Sequence, residues 1–100
     1  MVLHLRIRLK APHPDSLMSF LRQAVPLYEA PGGIRIRLLR NRNDPQEYIE
    51  IVEYNSRKAY EDDQHRVEHD PRMKKLLQEW RSLLAGDVKV ETYEDMTGQI

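Results

Sequence analysis

IRIRLLRNRNDPQEYIEIVEY, residues 34–54, is the stretch on which the fold turns. Ile34, Ile36 and Leu38 alternate with Arg35 and Arg37, the period-two pattern of a strand with one apolar face. Leu39 then falls out of phase, which suggests a bulge or the end of the strand. Asn41 to Pro45 form a turn cluster, and Glu47 to Tyr54 are rich in β-branched and aromatic residues. So short a connection between two such runs predicts an antiparallel hairpin. In the second run Ile49 and Ile51 share one face with Glu53, while Tyr48, Val52 and Tyr54 share the other with Glu50. With apolar groups on both parities, this strand reads as covered on both sides.

Outward from the hairpin, a helical pattern lies on each side and a strand pattern beyond each helix. Upstream, Leu17, Phe20, Leu21, Ala24, Val25 and Tyr28 recur at three- and four-residue spacing, with Pro14 suited to the first turn. Pro26 lacks an amide proton and collides with the preceding turn, so a kink or an end is expected near Val25. Pro31-Gly32-Gly33 turns the chain into the hairpin. Before this helix, Leu3, Leu5, Ile7 and Leu9 alternate with His4, Arg6, Arg8 and Lys10 as a first strand. Downstream, Ser56 is placed to cap a helix running through Tyr60 and His65 to about His69. Asp70-Pro71 reads as a fresh N-cap and first-turn pair, so the helical region is expected to break there. Met73, Leu76, Leu77, Trp80, Leu83 and Leu84 form the next apolar stripe, Gly86 fits the position past its end, and Val88, Val90 and Thr92 alternate as a last strand. The order βαββαβ is that of an α+β, ferredoxin-like domain over residues 1–100: a four-stranded antiparallel sheet with its helices on one face.

Lys plus Arg and Asp plus Glu number 16 each, so no net field draws nucleic acid or anionic membrane to this chain. Without cysteine there is no disulfide framework, thiolate nucleophile or sulfur-built zinc site. No apolar run reaches signal-peptide or membrane-spanning length, and a cytoplasmic protein is the expectation.

Helices on one face are expected to cover Leu3, Leu5, Ile7, Ile34, Ile36, Ile49, Ile51, Val88 and Val90. The opposite face would then carry His4, Arg6, Arg8, Arg35, Arg37, Tyr48, Glu50, Val52, Tyr54, Glu91 and Tyr93. Arginine and tyrosine mixed with carboxylates suit a wet but specific interface, here a homodimer through the sheets. The alternative is a solvated face of loosely paired charges. Recognition of RNA through such a sheet is disfavoured, because Glu47, Glu50 and Glu53 on the third strand repel phosphate.

His65-Arg66-Val67-Glu68-His69 spells H-x-x-E-H, the inverted zinc-protease pattern. That chemistry needs a large cleft and a further distant carboxylate, whereas Pro71 interrupts the helix at once, so no metal site is assigned and a solvated role is expected. Glu53, read as facing the helices, is a candidate general base whose burial would raise its pKa. The competing reading is a strand-end carboxylate paired with Arg57, Lys58 or water. Met73, Trp80, Tyr28, Tyr60 and His69 are candidates to bind a ligand; at helical spacing Met73 and Trp80 are more often core, and the tyrosines serve equally to cap its rim.

The alternating first strand, the Pro31-Gly32-Gly33 turn, the stretch YIEIVEY at 48–54 and the segment from Tyr60 through His69 and Pro71 to Trp80 together resemble the dimeric α+β barrel superfamily, in particular its antibiotic-biosynthesis-monooxygenase-like domains. The resemblance implies a homodimer whose sheets face each other, with a mostly apolar cavity between each sheet and its helices. It implies a small apolar or aromatic ligand and no cofactor. Members include cofactor-free oxygenases of polycyclic aromatic or quinol-type substrates, haem-degrading enzymes and proteins of unassigned role. A carboxylate near the end of the third strand and a histidine on the next helix, frequent in the family, correspond to Glu53 and His65. The second histidine comes four residues later, as His69, rather than five. The expected function is that of a small-molecule-binding homodimer, as a cofactor-free monooxygenase-like enzyme or as a non-catalytic ligand-binding or interaction domain.

Overall fold

Alternation of apolar side chains makes four strands, and in the computed structural model, which describes residues 1–100, they form one antiparallel sheet. The elements run β1 (Val2–Arg8), α1 (Asp15–Glu29), β2 (Ile34–Arg40), β3 (Glu47–Tyr54), α2 (Arg57–His69), α3 (Pro71–Ser82) and β4 (Lys89–Tyr93), followed by a short 3-10 turn at Thr97–Gln99. The strand order is β2-β3-β1-β4, so the βαββαβ arrangement is ferredoxin-like as expected. No helix is long and apolar enough to cross a membrane.

The helix boundaries follow local chemistry. Ser56 Oγ accepts the Ala59 amide at 3.1 Å to start α2. Asp70 Oδ1 accepts the Arg72 amide at 2.8 Å to start α3, with Pro71 in its first turn. α1 does not end at Pro26 but continues through it to Glu29. The residue is exposed and lies within the last turn, where a missing amide proton costs least. Leu39 is no bulge either: β2 stays in register to Arg40, and Leu39 pairs with Ile49.

Register corrects the assignment of faces. On β1, Leu3, Leu5 and Ile7 stand opposite Val52, Glu50 and Tyr48 of β3. On β2, Ile34, Ile36 and Leu38 stand opposite Tyr54, Val52 and Glu50. Directly opposed residues share a face, so Tyr48, Glu50, Val52 and Tyr54 point toward the helices and are buried there. These four, expected in a sheet-to-sheet interface, are not on the open face. Ile49, Ile51 and Glu53, expected beneath the helices, share the open face with His4, Arg6, Arg8, Arg35 and Arg37. The third strand's own pattern was symmetric; its pairing with β1 and β2 broke the tie. Val90 does share the helix side with Leu5, yet on the edge strand it stays 58% exposed.

Beneath the helices the core divides in two. Ile7, Leu9, Leu17, Leu21, Tyr48, Trp80 and Leu84 form the larger cluster. Ile34, Val52 and Tyr54 form the smaller, with Leu3, Ile36, Ala59 and Tyr60 packed against it. At the turn into β2, Gly33 has φ +72°, and a Cβ there would lie 2.6 Å from Asn55 Oδ1. Gly32, at φ +81°, has nothing within 4 Å of the same position. Gly32→Ala therefore carries only the left-handed backbone penalty of about 1–2 kcal/mol, while Gly33→Ala adds a collision. Thermal unfolding followed by circular dichroism should show the larger fall in Tm for Gly33→Ala, and equal falls would contradict this packing.

Candidate functional site

A cavity of about 170 Å³ lies between the sheet and all three helices. Leu3 and Leu5 of β1, Ile34 and Ile36 of β2, and Val52 of β3 form its floor. Tyr28 of α1, Asp63, Gln64 and Val67 of α2, and Met73, Leu77 and Trp80 of α3 form its walls and roof. A cavity of roughly 150 Å³ already admits benzene, so this one has room for a substituted single ring.

Glu50 enters from the middle of the sheet, flanked across the strands by Leu5 and Leu38, and is 4% exposed. Burial pushes its carboxyl from 4.5 up to about 7. The Trp80 indole Nε1–H donates to Glu50 Oε1 at 2.7 Å, which favours the charged form and opposes part of that rise. The other carboxylate oxygen has no protein partner. Tyr28 faces the same cavity, and burial first, then the Glu50 charge, raises its hydroxyl to about 12. It is a neutral phenol at physiological pH.

A second polar group closes the cavity on the α2 side. Tyr54 donates its hydroxyl to Asp63 Oδ2 at 2.5 Å; burial, followed by this bond, drives the phenol well above its ordinary range. Arg66 pairs with Asp63 at 2.9 Å and donates to the carbonyls of Leu27 and Tyr28 at 2.8 Å each. These carbonyls belong to the last turn of α1, which has no basic residue of its own. Arg66 thus ties α2 to the end of α1 and holds Tyr28 beside the cavity.

The residues singled out by sequence fall in different places. Tyr28, Met73 and Trp80 line the cavity. Tyr60 stands behind it, edge-on to Tyr54 with ring centroids 5.3 Å apart. His65 and His69 are exposed on α2, their rings 4.3 Å apart, and neither reaches the cavity. Glu53 lies on the open face, 3.4 Å from Arg37, its parity reversed from that expected. The carboxylate brought into the cavity is Glu50, three residues earlier. Its signal was the partner strands: Glu50 opposes Leu5 and Leu38, and Val52 opposes Leu3 and Ile36, whereas Glu53 opposes Val2 and Arg35.

The buried acid makes stability depend on pH with a definite sign. Since its folded pKa is the higher, the unfolded chain releases the proton first, and stability falls between about 4.5 and about 7. At about 1.4 kcal/mol per unit, the loss is on the order of 3 kcal/mol. Urea denaturation across this range should show the decline in the wild type and its removal in Glu50→Gln, which keeps the acceptor for Trp80. Parallel curves for the two proteins would mean that Glu50 is not held in this environment.

A family model described as antibiotic biosynthesis monooxygenase matches residues 1–70. Among solved structures, SnoaB from Streptomyces nogalater, described as a cofactor-independent oxygenase, has a TM-score of 0.72 at 17% identity, covering 95% of this chain and 93% of its own. PA3566 from Pseudomonas aeruginosa has a TM-score of 0.68 at 20% identity, with 95% and 92% covered. Rv0793 from Mycobacterium tuberculosis has a TM-score of 0.65 at 19% identity, with 95% and 96% covered. At these identities the likeness is one of fold. No curated protein matches the sequence.

Proposed function

The chain belongs to the antibiotic biosynthesis monooxygenase family, and from that premise we propose that it is a homodimeric, cofactor-independent oxygenase of small hydroxyarenes with Glu50 as general base. The observation that carries the reading is a carboxylate 4% exposed in an otherwise mostly apolar cavity, poised to titrate at about 7. A general base works best when its pKa lies near the working pH. The description of SnoaB as a cofactor-independent oxygenase supports the same assignment.

The chemistry starts with a hydroxyarene whose ring fills the cavity and whose hydroxyl meets the free oxygen of Glu50. Glu50 takes the phenolic proton, and the resulting arenolate is electron-rich enough to reduce dioxygen. One oxygen atom enters the ring at a C–H position and the other leaves as water, so phenol-type substrate plus O₂ gives quinone plus water. The substrate supplies all four electrons. Tyr28 contributes a neutral hydroxyl that stabilises negative charge as it develops on the oxygenated ring. The Trp80 indole fixes the carboxylate's orientation.

A dimer through the open sheet face is part of this proposal. Leu39 and Tyr93 are each 44% exposed there, beside Arg6, Arg8, Arg35 and Arg37 and the carboxylates of Glu47, Glu53 and Glu91. Arg6 is already near Glu47 and Glu91, at 4.0 and 3.8 Å. A face carrying both signs and apolar side chains can meet a second copy of itself about a two-fold axis.

Oxygen uptake with monocyclic phenols or hydroquinones should rise with pH through about 7 and fall about 100-fold or more in Glu50→Gln, while His65→Ala retains turnover. Uptake undiminished in Glu50→Gln would remove the base from the mechanism, and ligand binding without uptake would leave a non-catalytic binding protein. Sedimentation velocity at micromolar concentration should give a dimer, shifted toward monomer by Leu39→Glu; a wild-type monomer would refute the sheet-to-sheet assembly.

A further inference from the structure

The cavity has an unbalanced charge. None of the chain's ion pairs includes Glu50. Arg66, the cation on the cavity's flank, is committed to Asp63 and to two α1 carbonyls. The only polar partner of Glu50 is an indole N–H, a neutral donor. Three aromatic side chains, Tyr28, Tyr54 and Trp80, line the space in front of it. An anionic group buried among aromatic rings with no resident cation is a receptor for a cation. Ring faces attract positive charge electrostatically, and more so once water is removed.

We propose that the cavity has a second ligand class, small organic cations of the benzylammonium type, bound with the ammonium on Glu50 and the ring among Tyr28, Tyr54 and Trp80. The proposal shares its cavity with the oxygenase reading but not its chemistry, since an amine seated on Glu50 occupies the base and blocks it. Charge also works against a competing class: a carboxylate ligand of the same shape meets Glu50 as a like charge in a poorly solvated space.

Burial is what keeps the Glu50 proton on up to about 7, and a bound cation offsets that cost. Among the groups facing Glu50 from the elements packed on it, none supplies a competing positive charge. Tyr28 of α1 is neutral, Asp63 and Arg66 of α2 pair with each other, and α3 presents Trp80, with Glu79 exposed beside it. The cross-strand neighbours on β1 and β2 are Leu5 and Leu38. Affinity for the cation therefore follows ionisation of Glu50, full above about 7 and lost below it.

Trp80 is the chain's single tryptophan and touches Glu50, so its fluorescence reports binding directly. Benzylamine, benzyl alcohol and benzoate share one ring and differ in charge. Titrated into the wild-type protein at pH 8.5, benzylamine should bind at least about tenfold more tightly than benzyl alcohol, a difference of about 1.4 kcal/mol, with benzoate weakest. At pH 5.5, where the amine is still protonated but Glu50 is not ionised, the gap between amine and alcohol should close. In Glu50→Gln the two should bind within about twofold of each other at both pH values, an expectation set by removal of the charge at constant shape. Equal affinities in the wild type at pH 8.5, or a cation preference that persists at pH 5.5, would overturn the proposal. The wild-type pH series decides the matter even if the variant does not fold. Because benzylamine binding is read without oxygen, its failure is separable from failure of the oxygenase reading.

Discussion

Everything distinctive about this molecule depends on the register of β3 against its two neighbours. With Glu50 opposite both Leu5 and Leu38, one acid is forced into the centre of an apolar sheet face and beneath the helices. A slip of one residue would send Glu50 to the open face and bring Ile49 and Ile51 inside, because side chains alternate with period two. Glu53 would turn inward with them, and Tyr48, Val52 and Tyr54 would leave the core, so the cavity would lose Glu50 and much of its lining. The register is held by pairing along the whole of β3 on both edges, so the burial of the acid is sustained by many backbone hydrogen bonds acting together.

Burial of an unpaired carboxyl is costly, and the protein reduces the cost in two ways. Trp80 satisfies one oxygen, and the group keeps its proton to a higher pH. What remains is a site destabilised in its charged form, a common condition of groups that take part in proton transfer or ligand binding. By contrast, Glu53 on the open face has Arg37 beside it and is partly exposed, the ordinary condition of a surface ion pair. Two glutamates three residues apart on one strand thus have opposite environments.

The wall of the cavity made by α2 is held differently from the rest. This helix buries no residue fully; besides the packing of Ala59 and Tyr60 on the smaller core cluster, Arg66 reaching the end of α1 and Tyr54 donating to Asp63 attach it. Arg66 carries an unpaired, buried Nε–H while its other nitrogens are occupied, so the side chain is placed for the α1 carbonyls at the expense of one donor. The same contacts lie beside Tyr28 and Tyr54, so this wall of the cavity depends on polar contacts as well as on the packing of Ala59, Tyr60 and Val67.

Sequence by itself determined the elements. The alternation of Leu3, Leu5 and Ile7, the helical spacing from Leu17 to Tyr28, the caps at Ser56 and Asp70 and the turn at Gly32-Gly33 are local signals, readable because each depends on neighbours within a few residues. Cavity-lining Tyr28, Met73 and Trp80 could be proposed for the same reason, as members of apolar stripes. Which face of β3 turned inward was not local: Tyr48, Val52 and Tyr54 on one parity matched Ile49 and Ile51 on the other, and each side carried a glutamate. Only pairing with β1 and β2 separated them, and that pairing depends on residues some forty positions apart. The identity of the buried acid, Glu50 and not Glu53, was therefore a decision of tertiary structure, because a strand's two faces become unequal only when something is packed against one of them.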